Sequence, residues 1–175
     1  MANIRVVVTG MGCLTPLGLN VEDYWNGLVA GRSGIEPITS FDTDSFPVKV
    51  AAEVHGFDPK EFMEAKVARR TGRFVQFAIA STKMAMESAY LDMSKEKPDR
   101  VGVVIGSIGD HYHASGEVKV IQERGAQRVD PFLITKLSAH TVATQVGCQI
   151  GAKGPNTSPN SACASGNDAL GNALN

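Results

Sequence analysis

Apolar and polar positions alternate in blocks along this chain, and the blocks predict strands and helices in turn. Ile4 to Thr9 is a short β-branched run that stops at Gly10 and predicts a buried strand. A loop with Gly10, Gly12 and Gly18 follows, and then a helix with Asn20 as N-cap, Glu22 and Asp23 at its positive end and Gly31 as terminator. Val21, Trp25, Leu28 and Val29 would form its buried stripe. Residues 32 to 57 predict loop, with Val48 to Val54 the one extended stretch. Asp58, Pro59 and Glu61 combine cap, N1 proline and acidic first turn, which predicts a helix start.

Arg73 to Tyr90 predicts a longer helix whose small residues (Ala78, Ala80, Ser81, Ala85, Ser88, Ala89) permit close packing. Val101 to Gly106 lacks alternation, as in a strand covered on both faces. Helices are predicted at 116–124 and at 137–150, the latter closed by Gly151, and an extended stretch at 157–162 runs into Cys163. Ala164 to Leu174 has helical spacing. Strands alternating with helices argue for α/β architecture with a mainly parallel sheet.

Composition narrows the function classes. With 175 residues and 43% hydrophobic content the chain can bury one sizeable core. A net charge of -1 offers no basic surplus for nucleic acid. No apolar run approaches the ~18 residues of a membrane span, and the first residues lack a signal peptide's hydrophobic stretch, so a cytosolic protein is the expectation. The three cysteines, Cys13, Cys148 and Cys163, are odd in number and widely spaced, which suits neither a disulfide framework nor a zinc site. Cys13 and Cys148 read as small buried hydrophobes.

Gly10-Met11-Gly12 after a strand invites a dinucleotide reading, but Thr15 stands where the third glycine belongs and Pro16 follows it, so the glycines read as turn-formers. His111 and His113 fall in a polar, loop-like stretch with no third ligand spaced to complete a metal site. His140 falls inside the 137–150 helix and reads as a hydrogen-bonded interior group. No metal and no cofactor is expected.

Cys163 has surroundings that fit a chemical task. A strand-to-helix turn would place its thiol at a helix N-terminus, where unpaired amides and the helix dipole favour negative charge on sulfur. The same amides can donate to the oxyanion formed when a thioester is attacked. Ala162, Ala164 and Gly166 are small and leave room for a substrate. A buried structural cysteine competes with this reading.

The chain resembles the N-terminal part of a β-ketoacyl-[acyl-carrier-protein] synthase of the synthase II type. The matching runs are Arg5 to Gly12, Pro16 to Gly18, Gly31 to Ile35, Phe41-Asp42, Phe46 to Val48, Arg69-Arg70, Arg73-Phe74 and Ile105 to Ser107, with Pro131-Phe132, Lys153 to Asn156 and Ala162 to Gly166. They span nearly the whole chain in order, and the last is the family's active-site motif. The resemblance implies the thiolase-like fold of two stacked βαβαβ halves, with this chain as the first, and a homodimer. It implies that Cys163 takes an acyl group from acyl-carrier protein and that malonyl-carrier protein then decarboxylates and condenses with it. Ile108 matches the gate to the acyl pocket, Ala162 its lining, and Leu133 the place where a partner-subunit phenylalanine often closes its end; core packing explains each of the three equally well.

The family's catalytic histidines, with a lysine and a phenylalanine beside them, lie in the second half, and none of His55, His111, His113 or His140 matches them. The expectation is therefore a chain of one domain, 1–175, cut within the helix after the nucleophile and inactive by itself. Thr71-Gly72 replaces the usual pair before Arg73, His140 and Thr144 replace an asparagine and a glycine, and Pro159 stands in the active-site strand, where it cannot donate to a ladder. These departures leave open a polyketide-type ketosynthase. A cysteine acyltransferase or hydrolase, and a non-catalytic partner or scaffold, are the other classes to weigh.

Overall fold

The computed structural model describes residues 5–174, and its core forms where two helices cross a parallel strand pair. α3 (Arg73–Ser88) and α6 (Thr141–Ile150) make the most extensive contact between elements. Val75 and Ile79 of α3 meet Val142, Ala143 and Val146 of α6, with Met63 and Val103 completing the buried cluster. Their spacing at intervals of three and four residues puts each set on one helix face. Beneath them β3 (Val103–Val104) pairs in parallel with β4 (Asn156–Thr157). Asn156 pegs this pair to α6, its Nδ2 donating to the Ala143 carbonyl at 2.9 Å. The other elements are α1 (Val21–Val29), an antiparallel pair of β1 (Glu36–Pro37) and β2 (Val50–Ala51), α2 (Ala65–Arg70), α4 (His111–Arg124), α5 (Leu133–Leu137) and α7 (Ser165–Leu174). The α/β class expected from the sequence is the one observed.

Several local expectations are corrected. Ile4 lies outside the described residues, and 5–9 form no strand: among the described residues no neighbouring strand is hydrogen-bonded to them, and Val6, Val7 and Val8 are exposed. In α1 the covered face runs through Val21, Tyr24 and Gly27, and Trp25 is 63% exposed with Leu28 and Val29 also outside. Asn20 does cap that helix, accepting from the Asp23 amide at 2.8 Å. Asp58 caps only a single 3₁₀ turn, Pro59–Glu61. The apolar helix predicted from 137 breaks at residues 138–140 and restarts as α6, which ends as expected at Gly151 with φ of 75°. His140 therefore sits exposed at the N-cap position of α6, not within its interior.

The glycines at 10 and 12 have a different role from turn formation. A Cβ on either would overlap the α3 backbone, at the carbonyls of Ala85 and Ser81, and at Gly12 it would also lie 2.8 Å from the Ala85 amide. The small residues of α3 and these two glycines together let the segment lie flat on the helix.

Glu53 ties the loops beyond β1 and β2 together. Its carboxylate accepts from the Thr39 amide at 2.8 Å, the Thr39 hydroxyl at 2.7 Å and the Ser40 amide at 3.2 Å. Hydrogen bonds from Ser40 and then Thr39 hold its pKa down, from the ordinary 4.5 to about 2. A carboxyl lowered on folding contributes stability above its unfolded pKa and loses it as the pH falls through the folded value. Between about pH 5 and about pH 2 the unfolding midpoint in urea is expected to fall, and Glu53→Gln should flatten that part of the profile. Matching slopes in the two proteins would refute the assignment.

Candidate active site at Cys163

The site begins where the parallel pair ends. The backbone register that joins Val103 to Asn156 continues past the named strands: the Ile105 amide donates to Thr157 O at 3.1 Å and the Ser107 amide to Pro159 O at 3.2 Å. In this register residue 159 would donate in turn to Ile105, and a proline has no N–H to give. The regular ladder stops there while Pro159 still accepts. The pair thus delivers two loops side by side at its C-terminal end, one carrying Ile108 and the other Ala162 and Cys163.

The chain then reverses sharply. Ala162 has φ of 52°, a left-handed conformation that costs a non-glycine residue roughly 1 kcal/mol or more. One 3₁₀ turn, Ala162–Ala164, leads directly into α7. Buried Ser165 staples this turn: its Oγ donates to the Ala162 carbonyl at 2.7 Å and accepts from the Ser161 amide at 3.0 Å. The Ser161 hydroxyl in turn donates to Asp168, an acid in the first turn of α7. The Cys163 side chain is exposed, and its amide meets no acceptor among the described residues. This is the strand-to-helix geometry read from the sequence.

Gly106 lies under the start of α7. A Cβ there would overlap the Ser165 carbonyl oxygen and sit 2.8 Å from the Gly166 nitrogen. A cleft of about 420 Å³ opens over this contact, lined by Gly106, Ser107, Ile108, Ala162, Cys163, Ser165 and Gly166. Ile108 and Ala162 are thus brought beside Cys163. Leu133, half-buried at the start of α5, does not line the cleft. Sequence reasoning misses the roles of Gly106 and Ser165; a glycine between a strand and a loop and a serine two residues past the cysteine are the only signals of them.

The remaining candidates fall elsewhere. His111 and His113 are not in a loop: they occupy the first turn of α4, which Asp110 caps by accepting from the His113 amide at 3.1 Å. Among the described residues no group of three or more His, Cys, Asp or Glu side chains is placed to hold a metal. His55 lines a separate depression with Glu53 and Arg73. Cys148 is exposed on the outer face of α6, contrary to the buried reading, while Cys13 is half-buried and its thiol pKa is pushed up by that burial. No helix among the described residues is long and apolar enough to cross a membrane.

A cysteine presented on a strained strand-to-helix turn, at the C-terminal end of a parallel pair packed under helices, defines a layered α/β protein with Cys163 as its candidate nucleophile. The chain belongs to the β-ketoacyl synthase family, matching its "Beta-ketoacyl synthase, N-terminal domain" over residues 3–175. It is 38% identical to 3-oxoacyl-[acyl-carrier-protein] synthase 2 of Synechocystis sp. over 99% of its own length and 43% of the relative's. The ishigamide ketosynthase/chain length factor structure superposes with a TM-score of 0.88 at 31% identity, covering 97% of this chain and 43% of that one. A type II polyketide ketosynthase solved in complex with its acyl-carrier protein shares the fold at a TM-score of 0.78 and 24% identity, over 97% of this chain and 45% of its own. The chain spans less than half the length of the relatives it matches.

Proposed function

We propose that Cys163 is the acyl-accepting nucleophile of a 3-oxoacyl-[acyl-carrier-protein] synthase, and that Ala162 and Ile108 flank the acyl group it carries. The observation that carries this reading is the exposed thiol at the head of α7, beside the cleft of about 420 Å³ and next to its own amide, which meets no acceptor among the described residues. In the reaction proposed, the thiolate attacks an acyl thioester carbonyl and the oxygen takes up the negative charge. Amides at the helix start stabilise that charge, and the carrier thiol leaves. The acyl group is then a thioester on Cys163. Loss of carbon dioxide from a malonyl thioester leaves a carbanion equivalent that attacks this acyl carbonyl. A carbon–carbon bond forms, the Cys163 thiolate leaves, and the product is a 3-oxoacyl chain two carbons longer.

Acyl-carrier protein is the proposed partner, fatty-acid elongation the proposed setting and a homodimer the proposed assembly, with Leu133 near the partner's contribution to the pocket. None of the four histidines lines the cleft, so in this reading the groups that promote decarboxylation are not among the cleft residues described. A polyketide-type ketosynthase is the second reading, favoured by the likeness to the ishigamide ketosynthase/chain length factor and by the polar stretch Thr157 to Ser161.

Alkylation with iodoacetamide followed by peptide mass mapping tests the assignment. Cys163 is expected to label first and to be protected by prior incubation with a medium-chain acyl thioester. Preferential labelling of Cys148, the other exposed thiol, with Cys163 inert would sink it.

A further inference from the structure

The Ile108 wall of the cleft is held from behind by a connected set of charged groups that the acyl-transfer reading leaves unused. Ile108 sits on a loop without regular structure, and the two residues after it are each held in place. Gly109 has φ of 78°, donates its amide to Ser107 Oγ at 3.1 Å, and has no room for a Cβ against the Leu137 carbonyl and the Ala139 amide. The Asp110 amide donates to Leu137 O at 2.8 Å. The position of Ile108 therefore depends on where the end of α5 stands.

An ion pair ties α5 to the segment ahead of it. Lys136 Nζ meets Asp130 Oδ2 at 2.5 Å, with the two side chains only 18% and 23% exposed. Asp130 Oδ1 accepts from the Phe132 amide at 2.8 Å, ahead of α5, and the Asp130 amide donates to Glu117 Oε2 of α4 at 3.1 Å. The pKa of Asp130 is lowered, first by its hydrogen bond from Lys136, so its carboxylate is ionised at neutral pH. A part-covered, short-range pair inside a hydrogen-bonded network holds geometry better than an exposed one. A route of direct contacts thus runs from Glu117 through Asp130 and Lys136 to Leu137, Asp110 and Ile108.

We infer that Lys136 and Asp130 are positioning residues that fix the Ile108 wall relative to Cys163 and so limit the length of acyl chain that reaches the sulfur. The inference rests on the reading of Cys163 as the acyl acceptor. Neither residue touches the cleft, so their effect is on which chains enter and not on the sulfur itself.

The test measures alkylation of Cys163 by iodoacetamide and by its N-octyl derivative, in the parent protein and in Lys136→Met, Asp130→Asn and Lys136→Arg. Losing the pair is expected to raise the ratio of long-chain to short-chain rate by about threefold or more, within the range that a small displacement near a reacting centre produces. Lys136→Arg keeps the charge and should keep the ratio near the parent's. The parent's iodoacetamide rate reports an intact nucleophile turn, and the ratio is read in whichever variant retains it. An unchanged ratio in such a variant overturns the inference and leaves the Cys163 assignment standing. If both pair-breaking variants lose the short-reagent rate as well, the pair holds the whole fold and the inference also falls. A parent whose Cys163 reacts with neither reagent removes the acyl-acceptor reading, and this inference with it.

Discussion

Replacing Cys163 by alanine is expected to bring acyl transfer to the protein down to background, a loss of at least about 10³-fold. The unfolding midpoint should hardly move. The side chain is exposed, it is not part of the buried cluster, and the turn is held by Ser165 and its two hydrogen bonds rather than by the sulfur. Surface substitutions away from caps and cores usually stay within about 0.5 kcal/mol. Incubation with a radiolabelled acyl thioester, followed by precipitation and counting, measures the transfer, and a thermal melt measures the fold. Undiminished label on the alanine variant would move the nucleophile elsewhere and leave the proposed function without its main support.

Gly106→Val is expected to fail in the opposite pattern, with the sulfur present but misplaced. The added atoms meet backbone, the Ser165 carbonyl and the Gly166 nitrogen, so no rotamer change relieves them. Either β3 or the head of α7 must shift. Forcing volume into a well-packed contact costs about 1–3 kcal/mol, and displacing a reacting group by about 1 Å costs up to 10²-fold in rate. The variant should melt lower and alkylate more slowly at Cys163, and its cleft should no longer show protection by acyl thioester. A variant with parent-like melting and parent-like protection would show that the close approach is not needed.

The place of the candidate nucleophile is legible in the sequence because its signals are local: an extended stretch, small residues, a cysteine and a helix pattern in immediate succession. The alternation of elements is legible for the same reason, and α1, α3 and α7 lie close to where their caps and periodicities put them. What sequence periodicity cannot supply is the partner of a face. Trp25, Leu28 and Val29 form a sound apolar stripe, yet among the described residues the element they would pack on is absent and the helix rests on its Gly27 side. Val6 to Val8 make the same point for a strand, since a β-branched run becomes a strand only when a ladder forms beside it. His111 and His113 pass for loop residues because a polar helix start resembles a polar loop until the Asp110 cap is recognised. The roles of Gly106 and Ser165 depend on two segments about 60 residues apart coming together, which one residue at a time does not disclose.

The parallel pairing of β3 with β4 has an evolutionary consequence. It hands the Cys163 sulfur, the proposed acyl acceptor, to one loop and the Ile108 side of the cleft to another, and the two loops are supported by different parts of the chain: Ser165 and α7 behind the first, α4 and α5 behind the second. On the function proposed above, mutations accumulating between Ile108 and Leu137 would retune substrate choice while the turn at Ala162 to Ser165 stays under separate constraint. On that reading, a lineage built this way changes its diet without rebuilding its chemistry.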